Sequence, residues 1–143
     1  MNERQKVERG DFVHFAPIQT RWNDNDVYGH VNNVVFYAYF DTVINAWLIG
    51  EGKLDIHRGE VIGLCVESQC NYLAPAAYPD ALEGGLRVEK IGRSSVRYEL
   101  GIFKGGDPLA YGHFVHVFVD RLSRKPVAIP DALREALERL VRH

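Results

Sequence analysis

Two aspartates, a histidine and two asparagines, Asp24, Asp26, His30, Asn32 and Asn33, fall together in the stretch DNDVYGHVNN. Residues of these types at this spacing can attack a carbonyl. The stretch leaves a strand-like run, turns at Gly29 and enters a helix, so the first amides of that helix point back into the turn. Such amides favour anions: the helix dipole places roughly half a positive charge there, and a backbone donor aimed at a developing oxyanion is commonly worth about 3 kcal/mol of transition-state stabilisation. A carboxylate in the same turn then lies beside an oxyanion hole. That pairing suits attack by the carboxylate itself or by a water it activates. The same residues also support other roles. Asp and Asn are common turn and N-cap residues. His30 can satisfy a backbone group, act as an acid, or join Asp24 and Asp26 around a metal, and Trp22 and Tyr28 can form walls.

The flanking patterns name the elements that must hold this stretch. Residues 12–22, FVHFAPIQTRW, alternate loosely and predict a first strand, at an edge or a bulge because of Pro17. From Val34 the period changes. Phe36, Phe40, Val43, Ile44 and Trp47 recur at three- and four-residue steps with Asp41, Thr42 and Asn45 between them, which predicts a helix with one buried face. Asn32 or Asn33 can cap it, and Gly50 and Gly52 mark its end. Strand-like runs follow at 61–73, 81–91 and 94–103, and their short breaks favour antiparallel neighbours. A further run at 109–120 is apolar on both faces and should lie inside the sheet. Leu133, Leu137 and Leu140 form one stripe after Pro130 and Asp131, predicting a short C-terminal helix. The order implies an α+β fold: a curved antiparallel sheet of about five strands wrapped around a long central helix. Residues 1–10 are expected to be a flexible arm and 11–143 a single domain.

Bulk composition removes several function classes. With 143 residues, 46% of them hydrophobic and 25% charged, the chain suits one core. The 17 basic and 19 acidic residues are interspersed, so no basic stripe offers itself to nucleic acid. No stretch is apolar enough for a signal region or a membrane span, which predicts a cytoplasmic protein with no membrane partner. Cys65 and Cys70, on strict strand alternation, should occupy opposite faces about 16 Å apart. They are expected to be free, buried thiols, as suits a reducing compartment, and without a CxxC pattern they do not suggest zinc. No Gly-rich phosphate loop, dinucleotide fingerprint or Ser-His-Asp arrangement competes.

The run RWNDNDVYGHVNN, continued by VVFYAYFDTVINAWL, resembles the 4-hydroxybenzoyl-CoA thioesterase family of hotdog-fold proteins. Its members carry D-x-D-x-x-G, often extended as HVNN, ahead of the long central helix. NYLAPAAYPD and VEKIGRSSVRYELGIF are similar to that family's second to fourth strands, so the resemblance spans residues 11–135. It implies a hotdog fold and hydrolysis of an acyl-CoA thioester to free acid and CoA. Asp26 would be the catalytic carboxylate, as nucleophile or general base, and the Asn33 amide would polarise the carbonyl oxygen. Gly29 would let the thioester approach the backbone, Asp24 would hold the loop, and Tyr28, His30 and Asn32 would contact substrate in the same turn. Some members carry a histidine where this chain has Asn33, so that role does not pass to His30. No metal or organic cofactor is implied. Arg93, Ser94 and Ser95, with Arg97, could meet the CoA phosphates at the GRSSVR turn. Family members assemble as dimers or tetramers with sites at subunit interfaces. A homodimer or homotetramer is expected here too, because one helix cannot cover both faces and both edges of the sheet. A non-catalytic acyl-thioester binding module and an enoyl-thioester hydratase are the alternatives on this fold.

Overall fold

In the computed structural model, which describes residues 7–142, the expected helix runs Asn33–Gly50 (α1). It starts where Asn32 caps it, the Asn32 Oδ1 accepting from the Val34 N–H at 3.1 Å. Its buried stripe is Phe36, Tyr39, Phe40, Val43, Ile44, Trp47 and Leu48, while Asp41 and Thr42 face outward. Gly50 is the last helical residue, but the left-handed step that follows falls on Lys53 (φ 58°). Gly52 serves packing instead: a Cβ there would meet the Leu48 carbonyl oxygen at 2.7 Å and Leu133 at 3.0 Å.

The buried stripe lies against one face of a five-stranded antiparallel sheet. Its strands are β1 (His14–Gln19), β2 (Val61–Tyr72), β3 (Ala81–Ile91), β4 (Ser95–Lys104) and β5 (Asp107–Asp120), in the spatial order β1-β3-β4-β5-β2. Leu86, Val88, Tyr98, Leu100, Ile102, Phe114 and Phe118 supply the sheet's side of the core, and Phe40 meets Phe114 edge to face with ring centroids 6.2 Å apart. The helix rides close on β3 because Gly84 has no side chain; a Cβ there would come within 2.6 Å of Val43. Gly112 likewise lets β5 approach β2, since a Cβ would overlap the Gln69 carbonyl. A short helix, Asp131–Glu138 (α2), buries Leu133, Ala136 and Leu137 at the end of the body.

Five expectations change in detail. The first strand is shorter than residues 12–22, because the chain tightens into a 3-10 turn at Trp22–Asp24; Pro17 does lie on an edge strand, where no ladder hydrogen bond is lost. β5 is interior, but its faces are unequal: Phe114, His116 and Phe118 are buried under α1, whereas Tyr111, His113, Val115 and Val117 are only half-covered. Cys65 and Cys70 share a face, because a bulge at Val66 inserts one residue and shifts the alternation; Cys65 pairs with His116 and Cys70 with Gly112, four residues apart on β5. Cys65 is exposed and Cys70 half-buried, so neither is the buried thiol expected. The ordered body begins before residue 11: residues 9–11 form a 3-10 turn, and Arg9 reaches Glu83 at 2.6 Å while lying 3.9 Å over the Phe15 ring. Residues 1–6 of the expected arm lie outside the described residues.

Candidate active site

Turn chemistry builds the site. Asp26 opens an Asx turn in which its Oδ1 accepts from the Tyr28 N–H at 2.9 Å, its N–H donates to the His30 carbonyl at 2.9 Å, and its own carbonyl accepts from the Gly29 N–H at 3.1 Å. Gly29 sits at φ 83°, a left-handed conformation that a side chain would strain. Among the described residues no group donates to Asp26 Oδ2, and the residue is half-buried. The carboxylate is therefore oriented by one oxygen and open at the other.

Helix α1 begins beside this turn with one donor spare. Its cap satisfies Val34 through the Asn32 side chain and Val35 through the Asn32 carbonyl, and Asn32 itself donates to the Asp24 carbonyl at 2.9 Å. The Asn33 N–H has no hydrogen-bond partner among the described residues. Tyr72, at the end of β2, donates its hydroxyl to the Asn33 carbonyl at 2.8 Å and so pins the helix start from the far side. A free N–H at a helix N-terminus is an anion-favouring donor.

Asp24, which the family resemblance made the loop holder, is buried. Its carboxylate accepts from the Tyr39 hydroxyl (2.7 Å), the Arg21 N–H (2.8 Å) and the Arg21 guanidinium (3.3 Å). Burial alone would push this carboxyl upward, but these donors outweigh it and hold the group below the ordinary carboxylate range. Burial, and then the bond to Asp24, raise Tyr39 well above a free phenol. Sequence reasoning did not single out Tyr39, Tyr72 or Tyr78. The available clue was a tyrosine in the helix stripe, whose hydroxyl needs a partner when buried.

Asp26, Tyr28, Gly29 and Asn32 line one open depression, together with Trp22, Asn25 and Val27. Trp22 is 73% and Tyr28 84% exposed, and Trp22 packs edge-on against Tyr78 at 5.9 Å. His30 is exposed, does not line the depression, and contributes its carbonyl to the turn. Arg93, Ser94 and Ser95 are not brought here. They form the β3–β4 turn at the other end of the sheet, since Ser95 pairs with Val117 whereas the site end of β4, at Ile102, pairs with Ala110 next to Tyr72. The two places are about seven strand residues, or roughly 23 Å, apart within one chain. No cluster of three or more His, Cys, Asp or Glu side chains able to hold a metal ion occurs among the described residues.

The thioesterase-like superfamily matches residues 20–137, most of the chain including the whole Asp24–Asn33 turn. This protein belongs to that superfamily. The PA5185 protein of Pseudomonas aeruginosa strain PAO1 is 57% identical, with a TM-score of 0.91 over 94% of this chain and 95% of its own. A Thermus thermophilus thioesterase, solved in complex with coenzyme A and zinc, is 28% identical with a TM-score of 0.76, covering 88% of this chain and 92% of its own. Bacillus subtilis (strain 168) YsmA, itself uncharacterized, is 27% identical over 127 residues, which are 88% of this chain and 86% of that protein. The α+β fold is thus the hotdog fold of thioesterases.

Proposed function

We propose that this superfamily member hydrolyses acyl-CoA thioesters to free acid and CoA, with Asp26 as the catalytic carboxylate. The proposal is carried by a carboxylate oriented through one oxygen and open at the other, in a depression that reaches the Asn32 cap of α1, with the next residue's N–H, that of Asn33, unpartnered among the described residues. With the thioester carbonyl on that N–H, charge developing on oxygen meets a preorganised donor and the positive end of the helix. Asp26 then attacks the carbonyl carbon, expelling CoA thiolate and leaving an acyl-aspartyl anhydride for water to cleave, or it takes the proton of an attacking water. Gly29 keeps the wall of the depression thin. Tyr28, His30 and Asn32 are assigned to substrate contact, with Trp22 and Val27 as apolar surface for the acyl group.

The coenzyme A held by the Thermus thermophilus relative supports CoA as the thiol carrier. Because the Arg93–Ser95 turn is distant from Asp26 in its own chain, these residues would serve the phosphates of a ligand seated on another subunit. That fits a homo-oligomer. The compartment assigned is the cytoplasm, where free Cys65 and Cys70 stay reduced; no helix among the described residues is long and apolar enough to cross a membrane.

A panel of acyl-CoA substrates with a thiol-reactive reporter tests the assignment. Asp26→Asn should lower kcat by about 100-fold or more while the far-ultraviolet circular dichroism and the melting midpoint stay in place. Undiminished turnover in Asp26→Asn overturns it. Acyl-CoA binding without thiol release by the unaltered chain would point to a binding module instead.

A further inference from the structure

We infer that the buried hydrogen bond between Asp24 and Tyr39 is a positioning device, locking the loop that carries Asp26 to the helix that carries the Asn33 N–H. The inference rests on the proposal that Asp26 and this N–H act on one carbonyl. Among the described residues Asp26 is held only within its own turn, by Tyr28, Gly29 and His30. Two further ties, Val31 N–H to the Ala76 carbonyl (2.7 Å) and Tyr78 N–H to Asn25 Oδ1 (3.0 Å), run to the β2–β3 connection rather than to the helix. Asp24 supplies the link to α1, and it does so at two heights. Its carbonyl accepts the Asn32 N–H at the cap, and its side chain accepts the Tyr39 hydroxyl about two turns further along.

A rigid link between those points constrains both distance and rotation, because a body held at two separated points cannot pivot about either one. Burial keeps the link dry: Asp24 is 1% and Tyr39 7% exposed. Arg21 completes it from outside, its N–H and guanidinium satisfying the remaining lone pairs of the carboxylate. Neither side chain lines the depression at Asp26. Both border a separate groove between β1 and α1, with Ile18, Val35 and Thr42. Asp24 and Tyr39 therefore act through Asp26 and Asn33 and make no contact with substrate. Their loss should appear in the chemical step and leave substrate binding alone, since a misplacement of about 1 Å between reacting groups can cost about 100-fold in rate.

Steady-state kinetics of Tyr39→Phe, Asp24→Ala and the double variant test this on the intact chain. Each single change should lower kcat by about 10- to 100-fold with KM within about twofold of the unaltered protein. The double variant should be no slower than the slower single variant, because both remove the same bond. Arg21→Ala, which removes the guanidinium but keeps the Arg21 N–H and the Tyr39 hydroxyl on the carboxylate, should lower kcat less than Tyr39→Phe does. Unchanged kcat in Tyr39→Phe, a loss confined to KM, fully multiplicative losses in the double variant, or failure of both single variants to fold would each overturn the inference. The two levels separate cleanly. Full turnover in Asp26→Asn removes the carboxylate assignment whatever Tyr39 does, whereas an inactive Asp26→Asn beside a fully active Tyr39→Phe removes the positioning role alone.

Discussion

His116 shows how one buried side chain can set the acid limit of the whole fold. It is 3% exposed, its Nδ1 lies 3.2 Å from the Tyr98 hydroxyl, and burial drives its pKa down to about 4. An unfolded histidine titrates near 6.5, so between pH 6.5 and 4 the unfolded chain binds a proton that the folded chain refuses. Stability is full above that window and falls as pH drops through it, by about 2 kcal/mol between pH 7 and 5. Urea midpoints at those two pH values should show the loss, and replacing both polar partners, as His116→Leu with Tyr98→Phe, should flatten it. A slope that survives this replacement would assign the acid sensitivity to other groups. At the candidate site, the same scale explains what could be read in advance. The turn at Gly29 and the cap at Asn32 follow from turn and cap chemistry, which is local and leaves its mark in consecutive residues, whereas the choice of Asp26 over Asp24 and His30 came from the family resemblance. The partner of Asp24 is Tyr39, fifteen residues away, and on a helix stripe a tyrosine looks like any other core residue until its hydroxyl is traced. Gly29→Ala probes the local part: nothing crowds a Cβ there, so the left-handed φ should cost about 1 kcal/mol of stability on denaturation, with a lower kcat as the Asx turn shifts.

At the level of elements, period carried the reading and irregularity limited it. The switch from alternation to three- and four-residue steps at Val34 located α1, because the stripe of Phe36, Phe40, Val43, Ile44 and Trp47 must face the sheet together. The face of Cys65 relative to Cys70 was out of reach, since one extra residue at Val66 inverts the alternation and no residue type announces such a bulge. The Arg93–Ser95 turn was legible as a turn, but its place at the far end of the sheet depends on strand register, which is a property of pairs of elements. The seating of α1 on the sheet offers a test at this scale. Gly84→Ala would put a Cβ 2.6 Å from Val43 and 3.0 Å from Ile18, and such overpacking typically costs about 1–3 kcal/mol. Val43→Ala added to it should restore part of that loss, seen as a urea midpoint that recovers in the double variant. If Val43→Ala merely adds its own cavity cost, the helix does not rest on Gly84 as described.

Across the whole molecule, the two sheet edges are not equivalent. β1 is short and carries Pro17, features that discourage pairing, whereas β2 runs Val61–Tyr72 with Cys65 to Gln69 exposed and Val66 61% exposed, contains neither Pro nor Lys, and is interrupted by the bulge at Val66 alone. The sheet face turned away from α1 is better suited to water. His113 meets Glu67 at 2.6 Å, Arg97 meets Glu89 at 2.6 Å and Glu67 at 3.5 Å, and Arg87 meets Glu99 at 3.2 Å, so charges there are already answered within the chain. An open ladder of backbone donors and acceptors beside an exposed apolar side chain favours the β2 edge as the place where a second copy adds its own β2. Antiparallel pairing about a two-fold axis would satisfy both edges at once and continue the sheet. Light scattering on the eluting protein should then give at least twice the chain mass at micromolar concentration. Val66→Lys places a charge on that edge and should shift the population to monomer while circular dichroism stays unchanged, because the residue is exposed within its own chain. A fall in kcat that follows the monomer fraction would show that the site at Asp26 is completed by the neighbouring chain. An unaltered protein that runs as a monomer across the concentration range would remove the edge from consideration, and with it the assignment of Arg93, Ser94 and Ser95 to a ligand on another subunit.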